Sequence, residues 1–371
     1  MNSRQRVLSV LNHHVPDRVP IDFGGFHSGI HIKAYTELID YLGIEDNPRI
    51  LDPVQQLAEP CEELLRRFNA DIRYVCPNVF LECDSQGNFT DEFGITWIKQ
   101  DKQNYMTISR HPLADVKIAD IESYSFPNGN DKSSFAGIRD KALKISNDGL
   151  YALSTNIGGS LFECCCNLRA LERWFIDMIE NPHFCESLLD KVLEYWMNYY
   201  TELLSEIGDV IDIVMIGDDL AGQNGPLFSM NFYRDILKPR HKKLIQQIKS
   251  LTSAKICYHS CGSYYEFIPE LIDIGIDILN PVQVGLKNME PQKIKDEFGN
   301  QISLWGGGID SGYTLALSNP AEIRKNVHRN LEIFKPSGGY IFSNDHNIQF
   351  DVPPKNIVAL FDAAYEFSFY N

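Results

Sequence analysis

The chain has 371 residues, of which 34 are Lys or Arg and 50 are Asp or Glu, leaving a formal net charge of −16 at pH 7. With 44% hydrophobic and 23% charged residues it has the composition of a chain that folds around a large core, which sets aside disordered and coiled-coil classes. The acidic balance and the lack of a Lys/Arg run argue against nucleic acid and anionic membrane surfaces as partners; no apolar run reaches the ~18 residues of a membrane span, so a cytoplasmic location is expected.

In chain order, eight short β-rich runs end in Gly, Asn, Asp or Pro clusters, at 19–23, 72–76, 150–155, 211–216, 255–259, 277–279, 302–305 and 339–342. Helical patterns separate most of them. Residues 181–207 open with Asn181 as an N-cap and Pro182 at the first helical position, then place Phe184, Leu188, Leu189, Val192, Leu193, Trp196 and Tyr199/Tyr200 at helical spacing. Asn319-Pro320 opens another helix, with Ile323, Val327, Leu331 and Phe334 on one face, and Pro353-Pro354 opens a last one. Parallel neighbours need crossover connections, so eight strands alternating with helices predict an α/β fold: a single (β/α)8 TIM barrel spanning 1–371 as one domain. The alternation breaks at 79–110, where Asn88, Gly94 and the alternating Phe93, Ile95 and Trp97 predict an inserted β-hairpin over one mouth; the polar stretch 111–148 is expected to run over the surface.

Nine cysteines, an odd number with three adjacent at 164–166, make a poor disulfide framework, so reduced thiols are expected. Adjacent residues face different directions, and the triplet therefore reads as packing. In a barrel the chemistry belongs at the C-terminal ends of the strands. There, His259 and Cys261 stand two residues apart at the end of the fifth run, so an extended strand turns both to one side, about 6.6 Å apart along the chain. Imidazole plus thiolate suits zinc, although the pair taken alone reads more readily as a buried His and Cys at a strand end. Across the mouth, the eighth run ends in Ser343-Asn344-Asp345-His346-Asn347-Ile348-Gln349, offering His346 as a third ligand with Asp345 as its competitor. Asp218 and Asp219 end the fourth run as candidate general acids, groups that hydrogen-bond to metal ligands, or substrate contacts, with capping of the next turn as the plain alternative. Asn280, Gln283, Asp310 (after Gly306-Gly307-Gly308), His27 and Gln349 complete the substrate-binding candidates around the mouth.

Together, Pro16-Asp17-Arg18-Val19-Pro20, Gly217-Asp218-Asp219-Leu220, His259-Ser260-Cys261-Gly262, Leu279-Asn280-Pro281-Val282-Gln283, Gly306-Gly307-Gly308-Ile309-Asp310 and His346-Asn347-Ile348-Gln349 resemble the uroporphyrinogen decarboxylase-like superfamily. The resemblance covers nearly the whole chain and is strongest to the corrinoid-dependent methyltransferase branch. It implies a single (β/α)8 barrel. The decarboxylases carry an N-terminal arginine motif for the tetrapyrrole carboxylates, whereas the corresponding segment here, Ile21-Asp22-Phe23-Gly24-Gly25-Phe26-His27, has no arginine. The methyltransferase branch implies zinc held by His259 and Cys261, with a third ligand near the end of the last strand. The coenzyme M methyltransferases use a cysteine there; this chain has none after Cys261, and His346 takes the position by alignment. The implied reaction moves a methyl group between a small O-, N- or S-methylated substrate and a corrinoid (cobalamin) on a partner protein, since no Asp-x-His-x-x-Gly corrinoid motif is present. Asp218 or Asp219 would protonate the leaving group or fix the substrate. Rival readings are a metal-free decarboxylase, a zinc hydrolase and a non-catalytic binding barrel, and the oligomeric state is open.

Overall fold

Seven of the eight β-rich runs form strands in the computed structural model, which describes residues 1–79, 81–100 and 104–370. They are β1 (Ile72–Val75), β2 (Ala152–Thr155), β3 (Ile213–Gly217), β4 (Lys255–His259), β5 (Ile278–Asn280), β6 (Ser303–Trp305) and β7 (Tyr340–Ile341). All pair in parallel with their sequence neighbours, in the order β7-β6-β5-β4-β3-β2-β1. The first run contributes no full strand. Instead Ile21 bridges both edges of the sheet, to Ala70 and to Phe342, through Asp71 N–H to Ile21 O (2.7 Å), Asp22 N–H to Phe342 O (2.8 Å) and Phe342 N–H to Pro20 O (2.9 Å). Pro20 has no N–H to donate and Gly24 and Gly25 turn at positive φ, so the run ends as soon as it has joined the two edges. The curled sheet is thereby closed as a TIM-barrel-like ring.

Side chains alternate along each strand. Ile72, Ala152, Ile213, Met215, Cys257, Ile278, Trp305 and Ile341 form an apolar layer inside the ring, plugged from below by Val7, Val10 and Leu11 of the helix Ser3–Leu11. Two residues further on, the same inward phase reaches Gly217, His259 and Asn280 at the upper rim. A second, larger core lies between the strands and the outer helices.

The helix Pro182–Ile207 buries Phe184, Leu188, Leu189, Val192, Leu193 and Tyr200 as its spacing requires. Asn181 does not cap it with its side chain, which donates to Asp177 Oδ1 (2.8 Å). Asn319 does cap Pro320–Phe334, in a reciprocal pair with Glu322, and Pro354–Phe367 opens at the expected prolines. One expectation is corrected and another, the surface course of 111–148, is extended. The insertion is a three-stranded antiparallel sheet (Phe89–Thr90, Thr96–Lys99, Met106–Arg110) in place of a hairpin, its first turn pinned by Asp91 accepting the N–H groups of Phe93 and Ile95. The 111–148 stretch contains the helix Ile138–Ser146, whose Ile138 and Ala142 are buried. All nine cysteines are free thiols, and Cys165 and Cys166 are buried in the helix Phe162–Arg169. Among the described residues no helix is long and apolar enough to cross a membrane.

Candidate metal centre

Strands β3 and β4 are direct neighbours, with Gly217 opposite His259. Glycine is required there: a Cβ on Gly217 would lie 2.9 Å from Ile157 Cγ2 and 3.0 Å from His259 Cβ. Continuing each strand by two residues brings Asp219 and Cys261 to the same rim. One ligand atom each from Asp219, His259 and Cys261 lie within 4.8 Å of one another. Cys261 Sγ is 3.4 Å from His259 Nε2, and Cys261 N–H donates to Asp219 Oδ1 (2.6 Å). The chain then turns away at Gly262 (φ +87°), where a Cβ would strike Ala221 O at 2.3 Å.

His259 Nδ1 lies 2.6 Å from Asn280 Oδ1. An amide oxygen only accepts, so Nδ1 carries the proton and Nε2 turns its lone pair toward Cys261. This is the outer hydrogen bond that metal-ligating histidines commonly make. The three donors sit in the wall of a cavity of about 290 Å³ whose lining also includes His27, Ile157, Glu163 and His346. Among the described residues, none that lines it is Lys or Arg. Burial, reinforced by the carboxylates of Asp219, Glu163 and Asp345, pushes the Cys261 thiol well up. Burial and then Asp219 and Asp218 likewise raise the Glu163 carboxyl, while burial lowers the proton affinity of His259. A mouth with sulfur, nitrogen and oxygen donors and surplus acid is electrostatically suited to a divalent ion.

The remaining sequence candidates fall elsewhere. Asp218 is buried and turned from the cavity. Its carboxylate accepts the N–H groups of Leu161 (3.0 Å), Phe162 (2.6 Å) and Glu163 (2.9 Å) and the Ser160 hydroxyl (3.1 Å), with His241 Nε2 behind it at 3.3 Å. It caps the helix Phe162–Arg169 from a different strand, and so places Glu163. Asn280 serves His259. Gln283 Oε1 accepts Gly262 N–H (2.7 Å) and fixes the turn after Cys261. Asp310 accepts the N–H groups of Gly312 and Tyr313 (3.0 and 3.2 Å), closing its own turn. His27 is a buried wall residue whose ring packs edge-on to Trp305 (5.0 Å) and whose Nε2 is 3.2 Å from the Tyr74 hydroxyl. Gln349, tied to Tyr105 and to Asn347 O, lines a neighbouring cavity. His346 faces both cavities but lies outside the three-donor cluster. Adjacency explains this: β3 borders β4, whereas β5 and β6 stand between β4 and β7. Asp345, the other candidate at that end, accepts Ser311 N–H (2.8 Å), and burial pushes its carboxyl up to about 8. Glu163 escapes the sequence reading, because beside the cysteine triplet it is indistinguishable from a first-turn helix acid.

A protein of Methanosarcina mazei described as a methyltransferase shares this architecture, with a TM-score of 0.70 and 19% identity over 99% of both chains. Two curated relatives, each named uroporphyrinogen decarboxylase, are 26% identical. The one from Vesicomyosocius okutanii aligns over 70% of this chain and 71% of its own length, and the one from Psychromonas ingrahamii over 50% and 49%. The family model described as uroporphyrinogen decarboxylase (URO-D) matches residues 110–367, the stretch that carries β2 to β7, Glu163 and all three donors. The chain therefore belongs to the uroporphyrinogen decarboxylase family.

Proposed function

We propose that the chain is a zinc-dependent methyltransferase that moves a methyl group between a small methylated substrate and a corrinoid carried by a partner protein. The observation that carries this reading is the convergence of Asp219, His259 and Cys261 at the barrel mouth, with His259 oriented by Asn280. Three protein donors of this kind suit zinc with one coordination position left open. When bound, zinc supplies Lewis acidity toward the heteroatom that bears or receives the methyl group. The chain's own residues then do the rest. Asn280 keeps His259 in the ligating tautomer, and Gln283 and Gly262 hold the turn that presents Cys261. Glu163, whose burial favours its protonated form, stands in the cavity wall as the group to hold or give a proton at the substrate heteroatom. That is the role the sequence reading assigned to Asp218 or Asp219.

Decarboxylation of a tetrapyrrole fits less well. The cavity sits at the small end of ligand sites, which run from roughly 300 to 1,000 Å³, and its lining offers carboxylates where eight substrate carboxylates would need cations. Protein purified without a metal-affinity tag is expected to hold about one equivalent of zinc. Cys261→Ser, His259→Ala and Asp219→Ala are each expected to lose it while remaining folded, and methyl transfer to added cob(I)alamin should follow the zinc content. Wild-type protein with only traces of zinc would remove the proposal.

A further inference from the structure

Beside the metal cavity lies a second one of about 350 Å³, and the two share Gln55, His346 and Asn347 as a common wall. Its far side is apolar, built by Val54, Leu57 and Ile348 together with Met106 of the inserted sheet. Of the polar side chains that border it, His31, Tyr105, Asn347 and Gln349 already have partners within the protein, while the His346 ring stands in the wall shared with the metal cavity. His31 Nδ1 accepts Lys33 N–H (3.1 Å) and its Nε2 pairs with Asn104 O (3.0 Å). Gln349 accepts from the Tyr105 hydroxyl and donates to Asn347 O (2.7 Å). Asn347 accepts Gly29 N–H (2.8 Å) and donates to Phe26 O (2.8 Å) and Gln55 Oε1 (2.9 Å). Away from that shared wall, what remains for an occupant is methyl groups and the rings of His31 and Tyr105, which meet edge-to-face at 5.7 Å. Such a surface stabilises an occupant by apolar contact and by aromatic edge-to-face packing.

We propose that this second cavity is a subsite for an aromatic ring, so that the substrate is an aryl compound bearing a methylated heteroatom, its ring beyond His346 and its heteroatom beside Cys261 and His259. The inference rests on the metal-site reading for where the heteroatom lies, but the ring site is testable without it. Phenol, which keeps ring and heteroatom, and ethanol, which lacks the ring, serve as calorimetric probes on protein with and without zinc. Phenol is expected to bind at least about tenfold more tightly, in line with the extra apolar carbons buried. Met106→Trp, which fills the cavity, should remove most of that advantage with zinc content unchanged; Val54→Phe does the same from the opposite wall if the first variant fails to fold. In crystals soaked with 4-bromophenol, the anomalous bromine signal is expected in this cavity. Zinc-loaded protein that binds phenol no better than ethanol, or bromine located elsewhere, overturns the ring site and leaves the metal reading standing. Zinc-free protein that still places bromine here keeps the ring site and isolates a failure to the metal.

Discussion

Asp218 and Asp219 are adjacent, carry the same group, and have opposite surroundings. Asp218 satisfies three backbone N–H groups and a hydroxyl in a dry interior, and Asp219 meets Cys261 at the cavity. Removing a buried acceptor leaves those donors unpaired, at about 1–3 kcal/mol for each group so stranded. Asp218→Ala is therefore expected to destabilise the protein by roughly 3 kcal/mol or more, read from urea unfolding. Asp219→Ala should shift the same curve little and lose zinc instead. Asn280 supplies a second contrast: Asn280→Ala should weaken zinc binding by about 10- to 100-fold, measured by chelator competition, with Asn280→Asp restoring much of it because the acceptor oxygen returns. If Asn280→Ala keeps wild-type zinc affinity, the hydrogen bond to His259 has no part in ligation.

The strands and most helices were legible in the sequence because their signals are local: β-branched runs bounded by turn residues, and Asn-Pro or Pro-Pro at helix starts. Period-two alternation through Cys257 placed His259 and Cys261 correctly on one side. Applied equally to Ile213 and Met215, it reaches Asp219, but which strand borders which is a long-range fact, and alignment favoured His346 across the ring. The roles of Asn280, Gln283 and Asp218 were hidden for the same reason, since each acts on a partner from another strand or loop. The N-terminal helix shows a comparable long-range link at the floor. Buried Asp71 joins Arg6 Nη1 (2.7 Å), Arg18 Nη1 (2.7 Å) and the N–H of Ile21 (2.8 Å), tying the bottom plug to the residue that closes the ring. Asp71→Ala leaves the nearly buried Arg18 guanidinium without a carboxylate and Arg6 with Asp17 alone, and is expected to cost about 3–5 kcal/mol. Asp17, half-exposed beside this cluster, is held well below the usual carboxylate range by its hydrogen bonds to Arg6. Its folded value lies below its unfolded one, so its contribution is complete above about pH 4 and is lost as pH falls through the folded value. The urea-midpoint difference between wild type and Asp17→Asn, small because solvent screens the pair, should narrow from pH 7 toward pH 3.

At the scale of the whole molecule, stability and chemistry occupy different layers. The inner core ends at Met215, Cys257 and Ile278, and the candidate donors begin two residues above it. None of Asp219, His259 and Cys261 belongs to either apolar cluster, and the rim is held by protein contacts that need no ion: Asn280 to His259, Gln283 to Gly262, and Asp218 to the helix Phe162–Arg169. A small zinc domain that lacks a core unfolds without its metal, because binding energy there is folding energy. This barrel has its core already. Treatment with a strong chelator is therefore expected to remove zinc and methyl transfer together while leaving the far-UV circular dichroism unchanged. The thermal midpoint should fall only by the linkage contribution of a ligand that binds the folded state, and it should recover when zinc is restored. Loss of secondary structure on chelation would mean that the ion holds the mouth together, and the centre would then be structural.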